Sequence, residues 1–242
     1  MAVIASAIAT LLHEGVGHGL VAFLRGAVPM ELTSNHLSSL REDKWVEAGG
    51  TLVNLAAGLV ALVASLRSGG HTNGRYFLWL LAALNLLPGA GYFLFSGILG
   101  VGDWNAVISG LPNQALLRVG MTLLGAVLYF AAVKVLILAV WPYCKTRGEY
   151  NTVGRLPYYA ACLFSCAAGM LDPMGWKLMV ISTIPAAFGG SSGLMWADSL
   201  RAPVVTLEEA LSVARAPVWW VVAAIVGGAY IAILGPGVKL TY

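Results

Sequence analysis

Near the start of the chain, His13-Glu14-Gly15-Val16-Gly17-His18 sets two imidazoles and a carboxylate inside an otherwise apolar stretch, residues 1–24. Ionisable side chains are costly in such surroundings and mark function by default. Neutral imidazole nitrogens can ligate zinc, while a carboxylate that is not a ligand takes a proton from the metal-activated water. One buried His is ordinarily a hydrogen-bonded core residue, but two with a carboxylate between them in six positions point to a metal. The usual zinc helix carries its histidines four apart, about 40° around the axis, with Glu after the first. Here they are five apart, about 140° around an ideal helix, and would not converge. A π-bulge absorbs one extra residue and is frequent at functional sites, and Gly15 and Gly17 would ease it. Alternatively, Glu14 and His18, four apart, are the ligands and His13 stands behind them.

A third ligand must come from elsewhere, and Asp103, in Gly100-Val101-Gly102-Asp103-Trp104, leads the candidates. Its plainer role is an interfacial helix cap beside a headgroup-level Trp. His36 and His71 lie in polar loops and read as solvated, with either in reserve if Asp103 fails. Cys162 and Cys166 are one helical turn apart and read as small residues packed between helices. Three cysteines make no disulfide framework.

The elements that must position these groups are membrane helices. The sequence is 59% hydrophobic and 10% charged, against roughly 25% charged in soluble domains. Uncharged apolar stretches run over about 48–66, 76–102, 119–133, 156–171, 178–197 and 216–238, besides the first, 1–24. A span needs about 20 apolar residues, with backbone hydrogen bonds closed inside helices. The expectation is an all-α, polytopic transmembrane bundle of six or seven spans. The first stretch lacks a basic n-region and a small-residue cleavage site, and is expected to stay as a span.

Between the spans, residues 26–47 form a polar excursion with the charged run Arg41-Glu42-Asp43-Lys44, read as a hairpin or interfacial helix. Residues 201–215, with Arg201, Glu208 and Glu209, read as a loop with a short amphipathic helix. Pro88-Gly89-Ala90-Gly91 interrupts the third stretch, and Gly189-Gly190-Ser191-Ser192-Gly193 a later one. A broken membrane helix is tolerated only where it is buried in protein or lines a cavity, so the break near Pro88 points to a site. Lys and Arg divide almost evenly between the two sets of loops, with a slight excess in the set holding Arg67, Arg75, Arg155 and Arg215, read as cytoplasmic.

Three segments, in order, resemble the site-2 protease family of intramembrane zinc metallopeptidases. His13-Glu14 through His18 is similar to its zinc-binding helix; Ala48-Gly49-Gly50-Thr51-Leu52-Val53-Asn54 looks like its Gly-rich segment with a buried Asn; Asn85-Leu86-Leu87-Pro88 leading to Asp103 resembles its Asn-x-x-Pro segment before an aspartate ligand. The resemblance implies that His13, His18 and Asp103 bind zinc, that Glu14 is the general base, and that Asn54 and Asn85 hydrogen-bond substrate or oxyanion. It covers residues 1–105 as a metallopeptidase-like core, leaving 106–242 as further helices of the same membrane domain. Two departures stand out: the extra residue between the histidines and the long gap from Asn85 to Asp103.

The implied activity is zinc-dependent hydrolysis of a membrane-embedded peptide bond, with the substrate unwound and paired as a strand near Pro88–Gly91. The expected partners are membrane lipid and a peptide or helix substrate. The net charge of +3, without a basic stripe, gives no reason to expect nucleic acid. Three other readings compete: a metal enzyme acting on a lipid or small molecule; a transporter, with Lys134 and Asp172 as an intramembrane charge pair; and a non-catalytic helix-binding relative.

Overall fold

A computed structural model of the chain describes all residues except 42, 70, 71, 145–147, 201–212 and 241–242. Glu42, His71, Lys145, Arg147 and the amphipathic helix expected around Arg201, Glu208 and Glu209 lie outside the described residues. The long apolar stretches form helices because no other backbone arrangement closes its own hydrogen bonds in lipid. They are α1 (Ala2–Arg25), α2 (Lys44–Arg67), α3 (Thr72–Leu99), the short α4 (Asp103–Ile108), α5 (Gln114–Val140), α6 (Leu156–Gly169), α7 (Trp176–Ser199) and α8 (Pro217–Leu234). Six of them, all but α4 and α6, are long and apolar enough to cross a membrane. This is a multi-pass transmembrane bundle.

The 14-residue α6 is extended at its start by a π-helical turn, Asn151–Arg155, and polar contacts flank it on both sides. Before it, Arg155 meets both carboxylate oxygens of Asp198, at the end of α7, at 2.8 Å. After it, Asp172 accepts from the Asn35 side chain at 3.0 Å. Asn35 belongs to the polar excursion after α1, which forms a hairpin of β1 (Pro29–Leu32) and β2 (Leu37–Ser39). A third strand, β3 (Val238–Lys239), adds on the other side of β1, so the sheet order is β2-β1-β3 and every pairing is antiparallel.

The central helix is α3. Its Trp79, Leu80 and Leu87 are fully buried with Leu136 and Val140 of α5 and Ala5 of α1. The Trp79 indole donates to the Leu136 carbonyl at 2.9 Å, so its one polar atom is satisfied within the bundle. The sequence led us to expect a break near Pro88, but α3 runs unbroken through Pro88 to Leu99. A proline removes a single N–H, and packed neighbours can accommodate that loss. Gly190 supplies such a neighbour, with room for a Cβ only 3.3 Å from the Pro88 Cα. Pro88–Gly91 is therefore helical and offers no strand edge. The chain reverses later, at Gly100 and Gly102, whose positive φ values of 69° and 80° favour glycine.

The second Gly-rich interruption does loosen its helix. Residues Met179–Thr183 and Pro185–Gly190 of α7 are π-helical, and a turn follows at Ser191–Ser192. Tyr129 of α5 holds this turn: its hydroxyl donates to the Gly190 carbonyl at 2.9 Å and accepts from the Gly193 amide at 2.7 Å. Residues beyond 105 thus wall the same space as the first three helices.

Candidate metal centre

The middle of α1, Leu11–Leu20, is π-helical. In a π-helix the repeat closes between residues i and i+5, so His13 and His18 fall on one face, one turn apart. The five-residue spacing that parts them on an α-helix brings them together here. Both imidazoles and Glu14 are buried while Leu11, Val16 and Leu20 face outward. The rings stand edge to face with centroids 4.7 Å apart.

Helix α2 approaches α1 through glycine. A Cβ on Gly17 would lie 2.6 Å from the Gly50 nitrogen, so the backbones touch there. Gly50 forms the floor beneath both rings: a Cβ on it would lie 2.5 Å from His18 Nε2 and 2.6 Å from His13 Nε2. The start of α2 also orients one ring. His18 Nδ1 lies 2.6 Å from the Val46 carbonyl, which needs a proton on Nδ1 and leaves the Nε2 lone pair free for a ligand.

Asp103 closes the site from the first residue of α4, returned by the Gly100–Gly102 reversal. Its Oδ2 lies 3.2 Å from His13 Nε2 and 3.5 Å from His18 Nε2. Burial pushes the Asp103 carboxyl up, but the two imidazoles outweigh it and hold the group well below the usual carboxylate range. It is ionised at neutral pH, as a ligand must be.

These donors fit a tetrahedral cation. Ligand atoms at about 2.0–2.1 Å from zinc stand about 3.3–3.4 Å apart, which the two His–Asp distances bracket. Among the described residues neither His13 ring nitrogen nor Asp103 Oδ2 has a hydrogen-bond partner, despite burial. Such groups need a partner to offset desolvation, and a shared cation supplies one. Glu14 is close as well: one ligand atom each from His13, Glu14 and His18 lie within 4.8 Å of one another.

Comparison with known proteins finds no match. No family model, curated protein or solved structure resembles this chain closely enough to speak for it.

Two cavities share Glu14 in their walls. A cavity of about 710 Å³ runs between α3, α7 and the β-hairpin, with Glu14, His18, Tyr92 and Asp103 in its wall. A smaller one, about 100 Å³, is bordered by His13, Glu14, Asn54, Ser165, Thr183 and Tyr230 among other residues, and could hold several waters. Asn54 thus reaches the site, with its Oδ1 buried and unpartnered. Asn85 does not: it donates to the Leu81 carbonyl of its own helix at 2.7 Å and lines neither cavity.

The other polar candidates fall elsewhere. His36 Nδ1 lies 3.0 Å from Thr33 Oγ1 and 3.4 Å from Asp172 Oδ2, away from the His13–His18 pair. Lys134 sits over the Phe130 ring at 5.5 Å, so no charge pair with Asp172 is formed. Cys162 is buried and donates its thiol to the Ala187 carbonyl, packing α6 on α7.

The sequence reading missed Gly50 as the floor of the site, and Tyr92, whose ring stacks on His13 at 5.0 Å. The signal for Tyr92 was available, since it follows Pro88 by four residues, one turn along the face of α3 that borders both cavities.

Proposed function

We propose that this chain is an intramembrane zinc-dependent hydrolase that cleaves a peptide bond in the manner of the site-2 proteases. The observation that carries the reading is the convergence of His13, His18 and Asp103 beside Glu14, with His18, Asp103 and Glu14 in the wall of a cavity large enough for a peptide segment. Zinc held there would polarise the scissile carbonyl and bring the pKa of a water towards about 7. Glu14 is the proton carrier. It takes one proton as the water oxygen adds to the carbonyl carbon, and delivers it to the nitrogen as the C–N bond breaks. The products are a new carboxyl end and a new amine.

Substrate access follows from the sheet. Strand β2 is an outer strand, and its Leu37 and Ser39 line the large cavity. An unwound substrate can pair with that edge as an added strand and satisfy its backbone groups away from water. The polar hairpin residues Asn35 and His36 border the same space and give water a route to Glu14.

The test is zinc content and cleavage in the purified, detergent-solubilised protein. About one zinc per chain is expected, lost in His13→Ala, His18→Ala and Asp103→Ala. Glu14→Gln is expected to keep the metal and lose cleavage. Glu14→Gln protein that cleaves at the wild-type rate removes Glu14 from its role. A wild-type chain that holds no metal after zinc loading ends the hydrolase reading.

A further inference from the structure

A hydrolase that builds negative charge on a carbonyl oxygen gains most from a fixed neutral donor aimed at that oxygen. The asparagines do not supply one in the large cavity, since Asn85 is turned onto Leu81 and Asn54 borders the small cavity instead. Several other polar groups of the large cavity are committed. Asn35 holds Asp172 and Thr183, His36 is bonded to Thr33, and Tyr129 and Ser192 hold each other.

Tyr92 differs from these in having no hydrogen bond to another side chain. It lines both cavities, as Glu14, Asn35 and Ser182 do. Its ring lies nearly parallel to His13, at 26° and 5.0 Å, and packs edge-on against Phe95 at 6.5 Å. Two contacts of this kind fix the direction of the hydroxyl. That hydroxyl is close enough to Glu14 and Asp103 for both carboxylate charges to act on it, and it makes no hydrogen bond among the described residues. Tyr92 is half-buried and lines the cavity, so its hydroxyl is free for something that enters there.

Resting on the hydrolase reading, we infer that Tyr92 is a catalytic residue: its hydroxyl donates a hydrogen bond to the oxygen of the carbonyl under attack. The phenol keeps its proton throughout and forms no bond to substrate. The donor is worth more as the oxygen gains charge, so it acts on the rate and spares ground-state binding. It also selects a planar carbonyl that becomes tetrahedral, which fits an amide or ester.

The test compares Tyr92→Phe and Tyr92→Leu with wild type in the full-length, zinc-loaded protein. The readouts are zinc content, affinity for a peptide phosphonamidate, which mimics the tetrahedral state, and affinity for acetohydroxamate, which binds a metal without that shape. Tyr92→Phe keeps the stack on His13 and is expected to retain zinc and hydroxamate binding. Its phosphonamidate affinity and its kcat are expected to fall about 10²–10³-fold with KM unchanged. Phosphonamidate affinity within threefold of wild type overturns the assignment. So does a Phe variant equal to wild type beside a Leu variant that loses zinc, since the ring would then be only a platform for His13. Zinc-loaded wild type that cleaves nothing ends the hydrolase reading alone, and the phosphonamidate comparison still decides Tyr92. Wild type with no phosphonamidate affinity overturns it.

Discussion

Gly50→Ala is the smallest change that tests the candidate metal centre, because it replaces neither a proposed ligand nor Glu14. The added methyl carbon would stand 2.5 Å from His18 Nε2 and 2.6 Å from His13 Nε2, where ordinary contact begins at 3.4 Å. Relief requires one ring or both to recede by 0.9 Å, the difference between 3.4 and 2.5. Zinc–ligand distances hold to within about 0.2 Å, so the receding rings leave bonding range. Loss of a partner outside the first ring of ligands already costs about 10–100-fold in metal affinity. Displacing two ligands should therefore weaken zinc by at least about 100-fold, or about 2.8 kcal/mol. Gly15→Ala is the control, since a Cβ there meets nothing within 4 Å and a helical Gly→Ala change is mildly stabilising. Zinc affinity is read by competition with a chelator on purified protein, with far-UV circular dichroism as the check on helicity. The expected result is lost zinc with retained helicity for Gly50→Ala and wild-type zinc for Gly15→Ala. A Gly50→Ala protein that binds zinc within threefold of wild type refutes the placement of the rings.

Two further changes test how the site is held. Asn35→Ala removes the 3.0 Å bond to Asp172 and the 2.7 Å bond from Thr183, leaving a fully buried carboxylate short of a donor; a cost of about 1.5–3 kcal/mol should appear as a lower Tm with zinc binding intact. Asp43 caps α2 by accepting from the Trp45 amide at 2.8 Å and pairs with Arg25 at 3.0 Å. Slight burial pushes its carboxyl up, but the amide bond and Arg25 outweigh it and lower the pKa. Its folded value lies below its unfolded one, so its contribution is present above about pH 4 and fades as pH falls through the folded value. Asp43→Ala should therefore cost about 1 kcal/mol at pH 7, and the Tm gap to wild type should narrow towards pH 3. A gap of constant size across that range would show that the charge contributes nothing.

Much of this molecule is legible in order along the chain. Apolar length and scarce charge determine the membrane helices, because lipid leaves the backbone no other way to close its hydrogen bonds. The densest polar cluster, His13 to His18, lies in the first of these helices and is readable as a candidate metal site from residue type alone. The hairpin in the polar excursion is foreshadowed by its loop composition. The helix containing Pro88 was misread because a proline reports one missing hydrogen bond and says nothing of the neighbour that accommodates it; here Gly190, about a hundred residues away in sequence, packs against it.

What only the tertiary structure decided is convergence. Whether His13 and His18 share a face depends on the local helical pitch, and the chain adopts π geometry over Leu11–Leu20. Whether Asp103 joins them depends on a reversal at Gly100–Gly102 that carries α4 back towards α1. Gly50 and Tyr92 enter the site from two other helices, through contacts remote in sequence. Sequence determines which groups are costly to bury and which backbone they ride on. Distances of 3.2 and 3.5 Å between the two imidazoles and the Asp103 carboxylate are set by helix packing, where a single Cβ at Gly50 would be enough to part them.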